Sequence, residues 1–109
     1  MNGYLVTFFT QQDVRHGHLD MHEWLVRTAT ALGIGGCTVI AATEGVDHRG
    51  RRHSVHFFDL ADQPVEVQMA MTQDQATRFF DKLREEAVDV FYVKAPVEFG
   101  RTGGAGPRP

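Results

Sequence analysis

The chain has one cysteine, Cys37, in 109 residues. A single thiol excludes an internal disulfide framework and a multi-cysteine zinc site, and it points to a reducing compartment. A basic excess is also missing: 11 Lys and Arg stand against 14 Asp and Glu, a formal net charge of −3. Nucleic-acid binders carry a basic surplus, so general binding to DNA or RNA is not expected. Apolar runs are short, and none approaches the roughly 18 residues of a membrane span. The opening MNGYLVTFFTQQD lacks the basic start and long apolar centre of a signal peptide. These absences describe a soluble, cytoplasmic protein with no membrane insertion. No serine or threonine arrangement marks a nucleophile, and nothing makes Asp62 and Glu66 an acid–base pair. The expectation is a protein that is not an enzyme.

What is present fits a single globular domain, with 42% hydrophobic residues. So short a chain buries a modest fraction of its surface, which makes oligomerisation a natural source of further burial. Tyr4–Thr10 is aromatic and nearly continuously apolar, the pattern of a strand buried on both faces. QQDVRHGH follows as a polar loop. Asp20 and Glu23 have capping-box spacing. Met21, Trp24, Leu25, Thr28, Ala29 and Leu32 then recur along one helical face, and Gly33 supplies the stop. Cys37–Thr43 reads as an apolar strand, and Ser54–Leu60 as a further extended segment or part of a mobile loop. After ADQP, Val65, Val67, Met69 and Met71 alternate with Glu66, Gln68 and Ala70, so one face is buried. Thr72 and Gln75 repeat the capping-box spacing, and Ala76, Phe79, Phe80, Leu83 and Ala87 line a second helix. Val90–Val93 is a last strand, and GRTGGAGPRP is a flexible tail.

This order is the α+β ferredoxin-like pattern βαββαβ, an antiparallel sheet with two helices on one face. The first and last strands still hold apolar residues for the other face. A bare face of that kind is usually covered by another subunit, so a homo-oligomer is expected.

Several clusters carry possible chemistry. His16, His18 and His22 in RHGHLDMH, with Asp20, have a spacing open to metal ligation or to a loop of solvated histidines; no cysteine lies nearby. Gly33–Gly36 (GIGG) is a turn whose N–H groups can approach an anion. It leads into a strand, so it lacks the helix N-terminal anion site and, taken alone, reads first as a helix-exit turn. EGVDHRGRRH, Glu44–His53, places Arg49, Arg51 and Arg52 together on an otherwise acidic chain. Arginine suits bidentate contacts to phosphate or carboxylate, and a solvated loop tip is the plain alternative. His53 and His56 stand three apart in an extended segment and point to opposite faces. Cys37 reads as a small core residue.

GIGGCTVIAATEG, then a polar loop, then a proline opening VEVQMAMTQDQ, form a recognisable succession. With LVRTATALGIGGCTV, HSVHFFDLADQPVEV and FYVKAPVEFG, it resembles the PII-like family of small trimeric proteins related to nitrogen-regulatory PII. The resemblance points to a branch known only as a domain of unknown function and spans most of residues 1–100. It implies one PII-like domain over residues 1–99, a tail over 100–109, and a homotrimer with the sheets facing inward. Residues 45–63 would be the T-loop, with ATP, ADP or AMP bound between subunits at its base. Ligand binding would then reset the loop against a partner, a transporter or an enzyme. Gly35, Gly36 and Thr38 match the turn and threonine before the T-loop, and Gly45 matches the glycine at its start. Arg101, in Gly100–Gly103 (GRTG), matches the arginine that helps hold phosphate, and Lys94 lies near a cationic contact. Arg49, Arg51 and Arg52 would compensate phosphate charge. Two departures stand out. The short EEAVDV replaces the glycine-rich segment before the last strand, and residues 45–63 contain no tyrosine to modify. A related trimeric ferredoxin-like family linked to divalent-metal tolerance would instead give His16, His18 and His22 the leading role.

Overall fold

The computed structural model describes residues 1–46, 52–54 and 63–103, with backbone alone at Glu44 and residues 52–54. Arg49, Arg51, Val55–Leu60 and residues 104–109 lie outside the described residues. In chain order the elements are β1 (Asn2–Gln11), β2 (Arg15–His16), β3 (Leu19–Asp20), α1 (Met21–Ala31), β4 (Cys37–Ala41), β5 (Glu44–Val46), β6 (Arg52–Ser54), β7 (Pro64–Thr72), α2 (Gln73–Glu85) and β8 (Phe91–Glu98).

Four strands form one sheet in the order β4-β7-β1-β8, with every pairing antiparallel. With α1 and α2 as the crossovers, this is the expected ferredoxin-like βαββαβ arrangement. The period-two alternation of β7 buries Val65, Val67, Met69 and Met71 against the helices. Register sets Val6 beside Met69 and Phe8 beside Val67, so two rows of side chains cross the sheet centre. Leu25 and Ala29 of α1, and Ala76, Phe79 and Leu83 of α2, close the core. Phe8 and Phe79 stack with ring centroids 5.4 Å apart.

β1 differs from its expected burial on both faces. Val6 and Phe8 are fully buried under the helices, whereas Leu5 and Phe9 on the opposite face are each 39% exposed. A two-layer sandwich covers only one side of its sheet, so a continuously apolar strand is left half uncovered.

The helix ends show which local signals act. Thr72 and Gln75 make the full reciprocal capping box of α2. Asp20 is the N-cap of α1 but makes no side-chain cap bond; its carboxylate accepts from Arg15 at 3.0 Å instead. Both helices end in the same double bond pattern. In α1, Gly33 N–H donates to Thr30 O and Ile34 N–H to Ala29 O; in α2, Ala87 N–H donates to Arg84 O and Val88 N–H to Leu83 O. This is the Schellman motif, whose first residue past the cap is left-handed. Gly33 takes that place at φ 77° and Ala87 at φ 54°. Ala87 is therefore a turn residue beyond α2, not part of its apolar face.

QQDVRHGH is more structured than a loop. β2 and β3 pair as a small hairpin around Gly17, which sits at φ 62°. Arg15 braces it by donating to the Asp20 carboxylate and to His18 O.

Candidate functional site

α1 stops at Gly33, and Ile34 plugs into the core at 4% exposure. Gly35 and Gly36 then turn the chain into β4, with Gly36 at φ 65°. β4 is an edge strand, and its register Thr38–Gln68–Thr7–Val93 places Thr38 on the sheet face away from the helices. Beyond β4, Gly45 pairs with His53 in the two-stranded ribbon β5–β6.

The base of segment 45–63 is pinned from two sides. Ala42 N–H donates to Pro64 O at 2.8 Å, and Gln12 N–H donates to Gln63 O at 3.0 Å. Gly45 lies against Pro64 so closely that an added Cβ would come within 3.3 Å of the ring. Of the three loop arginines, Arg52 has its backbone in β6, and Arg49 and Arg51 lie outside the described residues.

Lys94 belongs to the other edge strand, β8. Its Nζ lies 4.3 Å from the centre of the Tyr4 ring and 5.4 Å from that of Phe80. Tyr92 meets Phe80 edge-on at 4.8 Å. The Lys94 ammonium is thus held against aromatic faces, which attract a cation electrostatically. Arg101 is exposed just past the end of β8.

The candidate residues therefore fall into two groups. Thr38 and Lys94 stand at nearly the same height, in the adjoining rows Thr38–Gln68–Thr7–Val93 and Cys37–Met69–Val6–Lys94. They occupy opposite edges, about 14 Å apart at the usual spacing between strands. Gly45 lies beyond the Gln11–Pro64 end of the sheet and Arg101 beyond the Asn2–Glu98 end. One chain brings together Gly35, Gly36 and Thr38, but not the two edges.

Between those edges the outward face is mixed, polar at Glu66 and Gln68 of β7 and apolar at several positions around them. Leu5, Phe9, Ile40, Phe91 and Val93 are 39–50% exposed, and the register puts all five on the face away from the helices. Phe9 and Phe91 contact each other there at 5.7 Å.

The histidines do not converge. His16 Nε2 is 3.1 Å from Glu86 Oε1 at the end of α2, with its ring edge-on to Trp24 at 4.8 Å. His18 is exposed in the hairpin turn, and His22 sits in the first turn of α1 with Nδ1 buried and unpartnered. Among the described residues, no three His, Cys, Asp or Glu side chains are placed to hold a metal ion. The hydrogen bond from His16 and the charge of Lys82 lower the Glu86 pKa below its ordinary value. Burial raises that of the half-buried Cys37 thiol, in keeping with a packing role. The His16–Glu86 contact and the Gly45–Pro64 packing had no sequence signal, because each joins residues far apart along the chain.

No helix among the described residues is long and apolar enough to cross a membrane. No curated protein matches the chain. Solved structures do. A PII-like signalling protein of Thermus thermophilus superposes with a TM-score of 0.64 at 19% identity, covering 88% of this chain and 87% of its own. CPII, a nitrogen regulatory PII-like protein of Thiomonas intermedia, gives 0.68 at 13% identity in a structure bound to ADP, AMP and bicarbonate, covering 93% and 91%. Its apo form gives 0.60 at 12% identity, covering 93% and 95%. The fold is thus PII-like, and residues 3–99 match DUF190, described as Uncharacterized ACR: the chain belongs to that family.

Proposed function

We propose that this protein is a non-enzymatic PII-like sensor acting as a homotrimer in the cytoplasm. The observation that carries the reading is the bare sheet face of Leu5, Phe9, Ile40, Phe91 and Val93. An exposed apolar cluster of this kind calls for a partner surface, and copies of the same chain supply one under closed symmetry. Packing the faces together sets the β4 edge of one copy near the β8 edge of another. A ligand in that cleft would meet Gly35, Gly36, Thr38 and Gly45 from one copy and Lys94 and Arg101 from its neighbour.

An adenine nucleotide fits this cleft chemically. Lys94 and Arg101 supply positive charge and the glycine turn supplies N–H donors, and Arg49, Arg51 and Arg52 of segment 45–63 would add charge-assisted contacts to phosphate. The nucleotides bound to CPII support the class of ligand. Loading the cleft would change segment 45–63, which residues 45 and 63 anchor, and the altered loop would engage a transporter or an enzyme.

Isothermal titration with ATP, ADP and AMP tests this. Saturable binding is expected, weakened at least tenfold when Arg49, Arg51 and Arg52 are replaced by alanine. Absence of binding for all three nucleotides by a protein that is trimeric in light scattering would remove the nucleotide reading and leave the trimer standing.

A further inference from the structure

The β2–β3 hairpin touches two distant parts of the molecule. At its base, Gln12 N–H holds Gln63 O, at the exit of segment 45–63. At its tip, His16 contacts Glu86, the residue that caps the end of α2. Between these points the hairpin is one braced piece. Val14 N–H donates to Gln11 O and Met21 N–H donates to Val14 O. The Val14 side chain packs on the core, and Arg15 ties the two short strands together.

We propose that this hairpin is a strap coupling the C-terminal end of α2 to the exit of segment 45–63, with Val14 as its pivot. A contact that pulls Glu86 away from His16 removes the tip's tie to α2 and leaves it held by the His16–Trp24 ring contact. The braced piece then rocks about Val14 and strains the Gln12–Gln63 bond. Pro64 bonds Ala42 on the opposite side, so the same movement reaches the end of β4. The exposed end of α2, carrying Lys82, Arg84, Glu85 and Glu86, becomes a second place from which the segment can be set. The regulatory sense of this coupling rests on reading residues 45–63 as a sensor loop; the coupling itself does not.

Amide hydrogen exchange, resolved by NMR on the full chain without ligand, tests the strap. His16→Ala and Glu86→Ala are expected to speed exchange several-fold at the N–H groups of Gln12 and Ala42, leaving those of Val6 and Phe8 unchanged. Glu86→Gln keeps an oxygen for the imidazole and should behave as the parent. Arg84→Ala removes the neighbouring Arg84–Asp81 pair, which lies outside the strap, and should also have no effect. Faster exchange confined to residues 14–21 would overturn the proposal, as would equal acceleration throughout β1. No nucleotide enters the assay, so its outcome is separate from that of the binding experiment.

Discussion

Replacing Ala87 by glycine should stabilise the protein, although it removes a side-chain atom from an ordered turn. Ala87 is the left-handed residue of the α2 Schellman motif, at φ 54°. A Cβ in that conformation costs roughly 1–2 kcal/mol through its clash with the following carbonyl. Glycine removes this cost but adds about 0.4–1 kcal/mol of unfolded-state entropy. The expected net gain is therefore about 0.5–1 kcal/mol, or a rise in Tm of about 2–4 °C for a chain of this size. The equivalent position of α1 supplies the control. Gly33 has φ 77°, and an added Cβ there meets nothing within 4 Å. Gly33→Ala thus isolates the backbone effect and should lower stability by about the same amount. Thermal unfolding followed by circular dichroism, at one fixed subunit concentration, reads both variants. A neutral or destabilising Ala87→Gly beside a destabilising Gly33→Ala would refute the reasoning, because strain at the two caps would then not be equivalent.

Phe9→Glu places a charge in the middle of the bare sheet face and should turn the proposed trimer into monomers that keep parental circular dichroism; light scattering after gel filtration would read a mass near 12.2 kDa. Gly3→Ala should cost more than about 2 kcal/mol in urea denaturation through overpacking, because its Cβ would stand 2.0 Å from Met71 O and 2.8 Å from the Phe99 ring. Glu86 has a pKa lowered in the folded protein, first by the His16 hydrogen bond and then by Lys82. Its contribution is therefore present above its ordinary value of 4.5 and is lost as pH falls through the lower folded value. The Tm difference between the parent and Glu86→Ala should accordingly shrink as pH drops below that ordinary value, and a constant difference across the acid range would contradict the assignment.

The succession of elements was legible because it depends on local chemistry. Val65 to Met71 alternate with period two whatever surrounds them, and Thr72 with Gln75 completes a capping box within one turn. Gly33 ends α1 because its own backbone permits the left-handed conformation. The same logic misled where a local signal had a competitor. Asp20 could cap α1, but the hairpin brings Arg15 to its carboxylate, and a charged donor outcompetes a backbone N–H. Ala87 continued the apolar spacing of α2, yet the helix had already closed on its final carbonyls.

The candidate site shows the same division. The sequence alone determined its ingredients: a glycine turn before β4, an arginine-bearing segment after it, a lysine in the last strand and a GRTG ending. Residue type and spacing are enough to identify these. Only the tertiary structure decided that Lys94 and Arg101 lie across the sheet from Gly35, Thr38 and Gly45, because strand order β4-β7-β1-β8 is a property of the pairing. Only it separated Leu5 and Phe9 from Val6 and Phe8, since an unbroken apolar strand does not say which of its faces the helices will cover. And only the folded chain brings His16 to Glu86 across 70 residues of sequence, a contact made by packing that no local pattern encodes.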